Sequence, residues 1–562
     1  MTDATRNLLE QHFDTAFAAP DGVGRLRELI LTLAMQGKLV EQDPNDSPAS
    51  ELLKEIEAEK QRLVKAGKIK KPKPLPPIKP EEVPFQLPQG WEWVRLNDAL
   101  DVRDGTHDTP KYVDVGYPLV TSKNIYTGRL SLEDVKYISK EDHEKIAERS
   151  KVDNGDILFA MIGSIGNPVI IDSDVEFSIK NVALFKYFMD GKPSNRYLHY
   201  YLVHAQENMK AISSGAVQSF VSLGFLRNYP FPLPPFSEQH RIVARIDQLM
   251  ARCDALEKLR KEREEKRLAV HAAAIKQLLD VPDGSAWDFI EQHFGELYTV
   301  KENVAELRKA ILQLAVMGRL VPQDPNDPPA SELLKEIEAE KQRLVKAGKI
   351  KKPKPLPPIK PEEVPYDLPL GWEWVRLQDV LDVRDGTHDS PKDAVGSDTY
   401  PLITSKNFSN GQIDFSDARM ISADDHFEIS KRSKVERLDI LFSMIGGNIG
   451  NQVIVQDDRD FSIKNVALFK YYSRELTYPY FIKSFMEHLA ADLQLKAVGG
   501  AQPFVSLGFL RNIIIGLPSV NEQHRIVARI DQLISLCDTL DQQIDDATGK
   551  QTELLNAVMA QL

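Results

Sequence analysis

Two histidines flanked by carboxylates are the best candidates for acid–base chemistry in this chain. His107 lies in Arg103-Asp-Gly-Thr-His-Asp108, and His388 lies in an identical hexapeptide beginning at Arg384. An imidazole beside aspartate can serve as a general base. The same residues, Asp with Gly and Thr, also make a polar turn whose side chains set the backbone, and the turn is the preferred reading. No nucleophile or cofactor motif accompanies either histidine. The chain contains no GxxxxGK[ST] phosphate loop, and Gly163 and Gly166 in MIGSIGN are too few and wrongly placed for a dinucleotide or S-adenosylmethionine loop. Asn167-Pro168-Val169 lacks the second proline and the aromatic of an Asn-Pro-Pro-Tyr motif, and the matching position reads Asn451-Gln452. There is no HExxH and no paired Cys-x-x-Cys. The expected complement of catalytic, cofactor and metal residues is none.

The elements that would position these residues are written twice. Pro48 to Pro84 recurs residue for residue at Pro329 to Pro365, an offset of 281. Gln11-His12-Phe13 returns as Gln292-His293-Phe294, and GWEWVRL at Gly90 returns at Gly371. TSKN recurs at Thr121 and Thr404, FSIKNVALFKY at Phe177 and Phe461, FVSLGFLRN at Phe220 and Phe504, and EQHRIVARIDQL at Glu238 and Glu522. Between these anchors the copies diverge, most sharply over 112–117 against 393–400 and over 124–149 against 407–432. A period this long lets each copy build its own core, so the chain is a duplicated multidomain unit and not a solenoid.

Each copy divides into three parts. Leu26, Leu29, Ile30, Leu33 and Leu39, then Leu52, Leu53, Ile56 and Leu63, have helical spacing, and KKPKPLPPIKP then breaks the helix into an extended connector. Ser50 is half of a capping box for the second helix. The middle part is mixed α and β: Ile157 to Ile162 and Val182 to Phe188 read as buried strands, and Arg196 to Ile212 as a helix. The third part is a long helix with Ser237 or Asn521 as N-cap and Glu238 or Glu522 at the dipole-favoured first position. Its apolar seam runs Ile242, Ile246, Leu249, Cys253, Leu256 in one copy. In the other it runs Ile526, Ile530, Leu533, Cys537, Leu540, Ile544, Ala547, with coiled-coil spacing. Such a seam needs a partner, and an intramolecular antiparallel pair of the two long helices is the expected solution. The boundaries that follow are 1–84 helical region and linker, 85–236 first globular domain, 237–282 central long helix, 283–365 second helical region and linker, 366–520 second globular domain, and 521–562 distal long helix.

At 562 residues the chain is too long for one core. Apolar residues make up 42% and nothing approaches a membrane-spanning run. MTDATRNLLEQHF has neither a basic start nor an apolar stretch, so no secretory signal is expected. Cys253 and Cys537, the only cysteines, share one seam position, where packing is preferred over redox function. These features point to the cytoplasm. The net charge of −12 speaks against a polyanionic partner. Yet Lys60 to Pro80 holds eight Lys or Arg residues and no acid, and net charge is a poor guide to a local surface.

LPPFSEQHRIVARIDQLMARCDALE, Leu233 to Glu257, and GLPSVNEQHRIVARIDQLISLCDTLD, Gly516 to Asp541, closely resemble the conserved region of type I restriction-modification specificity subunits. Gly-Thr followed by Pro, then TSKN, and FVSLGFLRN before the helix resemble that family's target-recognition domains. The resemblance covers nearly the whole chain. It implies a mixed α/β fold with two target-recognition domains separated by two long antiparallel helices that act as a ruler. It also implies that each domain reads one half of a split, asymmetric double-stranded DNA sequence. The implied partners are two modification subunits that carry S-adenosylmethionine and restriction subunits that use ATP. The chain departs from the shortest members in the helical segments 1–84 and 283–365.

On that reading the residues expected to touch DNA and shared by both copies are Arg103 and Arg384, Thr106 and Thr387, Ser122 and Ser405, Lys123 and Lys406, and Asn124 and Asn407. Lys180 and Lys464, Asn181 and Asn465, and Gln218 and Gln502 complete the shared set. Their identity in two heads that should read different sequences assigns them to phosphate positioning or structure. Base readers are expected in the divergent stretches, Lys111 to Tyr126 and Lys392 to Asn410. His240, Arg241, His524 and Arg525, on the first turns of the long helices, are assigned to packing or subunit contact. The rival reading is a coiled-coil scaffold whose globular parts bind proteins, favoured by the acidic net charge and disfavoured by the divergence between the heads.

Overall fold

The computed structural model describes residues 17–213, 220–281, 284–497 and 503–560. Gln11-His12-Phe13 therefore lies outside the described residues. The chain forms two compact units, one of residues 1–262 with 548–562 and the other of residues 263–547.

In the first unit the helix Gly22–Met35 ends where Gly37 adopts φ 66° and the Gly37 and Lys38 N–H groups return to the Ala34 and Leu33 carbonyls. That left-handed stop suits glycine, and it leaves Leu39 beyond the helix it was expected to join. The next helix, Ala49–Lys65, has Pro48 in the cap position and not Ser50. The chain then runs without regular structure to a short turn at Pro80–Glu82.

The head is built on a four-stranded antiparallel sheet ordered Asp101–Asp104, Val182–Lys186, Ile157–Ala160, Gly166–Ile170. Alternate residues of Ile157–Ala160 face opposite sides of a sheet. Ile157 and Phe159 join the core beneath the helices, and Leu158 and Ala160 join a second core on the other face. Burial on both faces is why this strand reads as an unbroken apolar run. A smaller sheet carries Tyr112–Val113, Lys136–Ile138, Tyr117–Val120 and Ser178–Ile179, the last pair parallel. The strand Glu92–Arg95 pairs antiparallel with Pro230–Leu233, fastening the start of the head to its end. The helix expected over 196–212 spans Asn195–Ser213.

The second unit repeats this plan. Its main sheet is Leu381–Asp385, Val466–Tyr471, Ile440–Ser443, Gln452–Ile454, and Glu373–Arg376 pairs with Ile514–Leu517. The smaller sheet holds Arg419–Ser422, Thr399–Ile403 and Ser462–Ile463, and a separate hairpin joins Phe408–Ser409 to Gln412–Ile413.

The long helices are Phe236–Asp280 and Val520–Ala560, of 45 and 41 residues. Neither begins as expected. Ser237 is exposed inside the first turn, where the Gln239 N–H already bonds the Pro235 carbonyl at 3.0 Å. In the second copy Ser519 caps the helix by accepting the Glu522 N–H at 3.2 Å, and Asn521 instead bonds Asp327. Ala274 and Ile275 of the first long helix lie in one core with Ile526, Ile530 and Cys537 of the second, while the early seam is covered from within each copy. Ile242, Ile246 and Cys253 are buried in the same core as Ile30, Leu31 and Ala34 of the preceding helix. Arg27 bridges that helix to Asp254 at 2.8 Å and Glu257 at 2.9 Å. In the second unit Ile526, Ile530 and Cys537 share a core with Leu307, Ile311 and Leu314, and Arg308 pairs with Asp538 and Asp541. The early seam is thus packed by the copy's own helical segment, and Leu256 and Ala547 are exposed. Both cysteines are free, buried thiols.

Candidate nucleic-acid interface

The shared motifs converge on one junction in each head. The Thr106 N–H bonds the Ile179 carbonyl at 3.0 Å, the Asn181 N–H bonds the Thr106 carbonyl at 3.1 Å, and the Lys180 N–H bonds the Val120 carbonyl at 2.9 Å. These three backbone links bring RDGTHD, the Lys-Asn turn and TSKN together, and Thr387, Asn465 and Lys464 repeat them at 2.9, 3.1 and 2.9 Å. Gly105 is required at the crossing, because a Cβ there would stand 2.2 Å from the Ile179 carbonyl oxygen; at Gly386 the matching distance to Ile463 is 2.3 Å. Asn181 and Asn465 take φ of 56° and 55°, a left-handed turn that asparagine tolerates.

At this junction the Asp104 carboxylate is nearly buried. One oxygen faces His107 Nε2 at 3.0 Å and the other accepts from Arg149. His107 Nδ1 faces Asn181 Oδ1 at 3.0 Å. Asp385, His388, Arg432 and Asn465 reproduce the arrangement. Both ring nitrogens of each histidine thus have a partner within the cluster. The histidine, aspartate, asparagine and arginine of each head form one hydrogen-bonded turn.

The expected contact residues separate by what already holds them. Arg103 binds Asp101 through Nε at 2.9 Å and Nη2 at 2.6 Å, and reaches the Arg149 carbonyl at 3.1 Å. Arg384 does the same with Asp382 and the Arg432 carbonyl. Asn124 and Asn407 are buried and close the TSKN turn, accepting the Thr121 and Thr404 N–H groups at 3.0 Å each. Lys180 and Lys464 donate to Thr109 and Ser390. Thr106, Thr387, Ser122 and Ser405 are half-buried. Lys111, Lys123, Lys392 and Lys406 are exposed and have no ion-pair partner among the described residues. Gln218 and Gln502 lie outside the described residues.

The first turns of the long helices hold a second paired feature. Arg241 pairs with Asp46 at 2.6 Å and Arg525 with Asp327 at 2.7 Å, so both arginines tie the long helix to the segment before its head. His240 and His524 are exposed, resting against Phe236 and Tyr478. Glu238 and Glu522 are buried, and desolvation raises both carboxyls above the usual range despite bonds from Gln42 and Trp91, and from Gln323 and Trp372.

Two features escaped the sequence reading. Arg149 and Arg432 complete the buried aspartate sites, and the repeated Arg-Ser-Lys-Val at 149–152 and 432–435 was their signal. His143 stacks on Tyr117 with ring centroids 4.0 Å apart and bonds Ser178 at 2.9 Å, and His426 does so with Tyr400 and Ser462 at 4.0 and 3.0 Å. Burial lowers both imidazole pKa values. Their signal was Ser139-x-x-Asp142-His143 and Ser422-x-x-Asp425-His426, a helix start in which the serine accepts the aspartate N–H. The described residues contain no group able to hold a metal ion, and no helix long and apolar enough to cross a membrane.

The profile of the type I restriction modification DNA specificity domain matches residues 88–265 and again 369–547. The chain belongs to this family. It is similar to the type I restriction enzyme EcoAI specificity subunit of Escherichia coli, with 37% identity covering 95% of this chain and 92% of that one. The EcoEI specificity subunit of the same organism is 32% identical, covering 96% of this chain and 93% of that one. The crystal structure of an HsdS subunit from Thermoanaerobacter tengcongensis aligns over 85% of this chain and 98% of that one, at 18% identity and a TM-score of 0.44. Each match of the domain profile begins near the strand that opens a head and ends within a long helix. The family's role is DNA sequence specificity within a multisubunit system, and the chain is a non-catalytic component of it.

Proposed function

We propose that the two heads each read one half of a split, asymmetric DNA target, and that the long helices set the spacing between the halves. Two S-adenosylmethionine-dependent modification subunits would then methylate the target, and ATP-driven restriction subunits would cleave unmodified DNA, in the cytoplasm. The six segments read from the sequence belong to this proposal. The observation that carries it is a shared junction bearing unlike outer elements. Both heads keep the Asp–His–Asn–Arg cluster, while one carries the strand Tyr112–Val113 and the other the hairpin of Phe408–Ser409 with Gln412–Ile413. A common frame with different exposed elements is what two readers of different sequences require. Lys123 and Lys406 are the leading phosphate contacts, because they are exposed and unpaired among the described residues.

Replacing residues 85–236 with the equivalent domain of a relative tests this, with the methylation pattern of a host expressing the chain and its modification partner as readout. One half of the recognised sequence is expected to change. A change in both halves, or in neither, overturns the assignment of one half to each head.

A further inference from the structure

We infer that the lysine-rich straps before the two heads are preformed sites for the DNA phosphate backbone, independent of base sequence. The inference rests on the DNA-specificity reading and adds a contact surface outside the heads' shared junctions. Between Lys65 and Pro80 the chain carries Lys68, Lys70, Lys71, Lys73 and Lys79 and no acidic residue, and all five are exposed. Lys70, Lys71 and Lys73 have no ion-pair partner among the described residues, and neither do Lys351, Lys352 and Lys354 in the second strap.

A free basic linker would have to be ordered on binding, at an entropic cost for each residue. These straps are not free. Arg95, 4% exposed, donates Nε to the Pro76 carbonyl at 3.2 Å and Nη2 to the Pro77 carbonyl at 3.1 Å, while pairing with Glu82 at 2.7 Å. That pairing, with the Lys79 N–H, holds the Glu82 carboxyl down at about 2. Arg376, also 4% exposed, bonds the Pro357 carbonyl at 2.9 Å and pairs with Glu363, and Gln378 donates to the Lys354 carbonyl at 2.9 Å. Lys71 and Lys73 each precede a proline, which excludes helical backbone and favours an extended chain. The result is a row of unpaired ammonium groups on a backbone already fixed to each head.

The duplication adds an independent argument. Over 37 residues the two straps and the helices before them are identical, exposed lysines included, although the heads differ. Core packing does not require identity at exposed positions, and a base-reading surface would have diverged with the heads. The phosphate backbone is the one DNA feature that both halves of any target share.

The test is equilibrium binding by the full chain carrying K70Q, K71Q, K73Q, K351Q, K352Q and K354Q, measured across a salt series on target and non-target duplexes. Each lysine on a phosphate contributes about 0.9 to the slope of log affinity against log salt. Six should therefore flatten the slope by about 5, equally on both duplexes, while the ratio of target to non-target affinity is unchanged. A slope change below 1 overturns the inference. So does an unchanged slope with loss of co-purifying modification subunits, which would make the straps docking sites for an acidic protein surface. Wild-type protein that fails to discriminate target from non-target defeats the DNA-specificity reading itself. Wild-type discrimination with an unchanged slope removes the straps alone.

Discussion

Trp91 donates its indole N–H to the buried carboxylate of Glu238 at 2.9 Å, and Trp372 donates to Glu522 at 3.0 Å. In each copy this bond joins the entry to the head's first strand with the first turn of the long helix, and Gln42 or Gln323 adds a second donor. Glu238→Ala would strand two donors in a buried site and is expected to cost about 1–3 kcal/mol. Glu238→Gln should cost less, and its difference from wild type should vary with pH. Because burial raises the folded-state pKa of Glu238, the neutral form is the one the fold prefers. Wild type should therefore gain stability relative to Glu238→Gln as pH falls through that raised pKa. Denaturant titrations at pH 7 and pH 4.5 would measure this, and a gap that widens against wild type at low pH would contradict it.

The long-helix seam makes a sharper mutational contrast. Ile246 is fully buried against the preceding helix and the head, whereas Leu256 is 37% exposed. Ile246→Ala should destabilise the first unit by about 2–4 kcal/mol. Leu256→Ala should stay within about 0.5 kcal/mol of wild type. Urea midpoints of the two variants decide it, and equal losses would contradict the contrast.

His107 and His388 should be dispensable for chemistry. With His107→Ala and His388→Ala, single-turnover methylation by the assembled complex at saturating DNA should fall less than about tenfold. Loss of a general base would cost about 100- to 10,000-fold. A drop of that size without a change in DNA affinity would make the histidines catalytic.

Lys123→Ala and Lys406→Ala should weaken binding to every duplex alike and flatten the salt slope by about 0.9 each. A loss confined to one target sequence would make these lysines base readers, and no loss at all would remove them from the interface.

The duplication, the two heads with their divergent inserts and the long helices were legible because each leaves a local pattern: an exact repeat, an apolar run between turn residues, a coiled-coil spacing. The strand Ile157–Ala160 was readable for the same reason, since burial on both faces writes an unbroken apolar run. What tertiary structure decided was partnership. Arg103 and Arg384 could be assigned from the sequence to phosphate or to structure alike, and carboxylates two residues away on the same strand hold them. Asn124 and Asn407 close the TSKN turns, where their buried amides bond backbone groups and the Thr121 or Thr404 hydroxyl. The seam of the central helix has the right spacing for a coiled coil, yet spacing cannot name the surface that covers it, and Arg27 with its helix covers the first half. Arg149 was invisible as a partner of Asp104 because 45 residues separate them. Sequence records the preferences of neighbours along the chain, whereas a buried charge finds its counterion wherever the fold brings one.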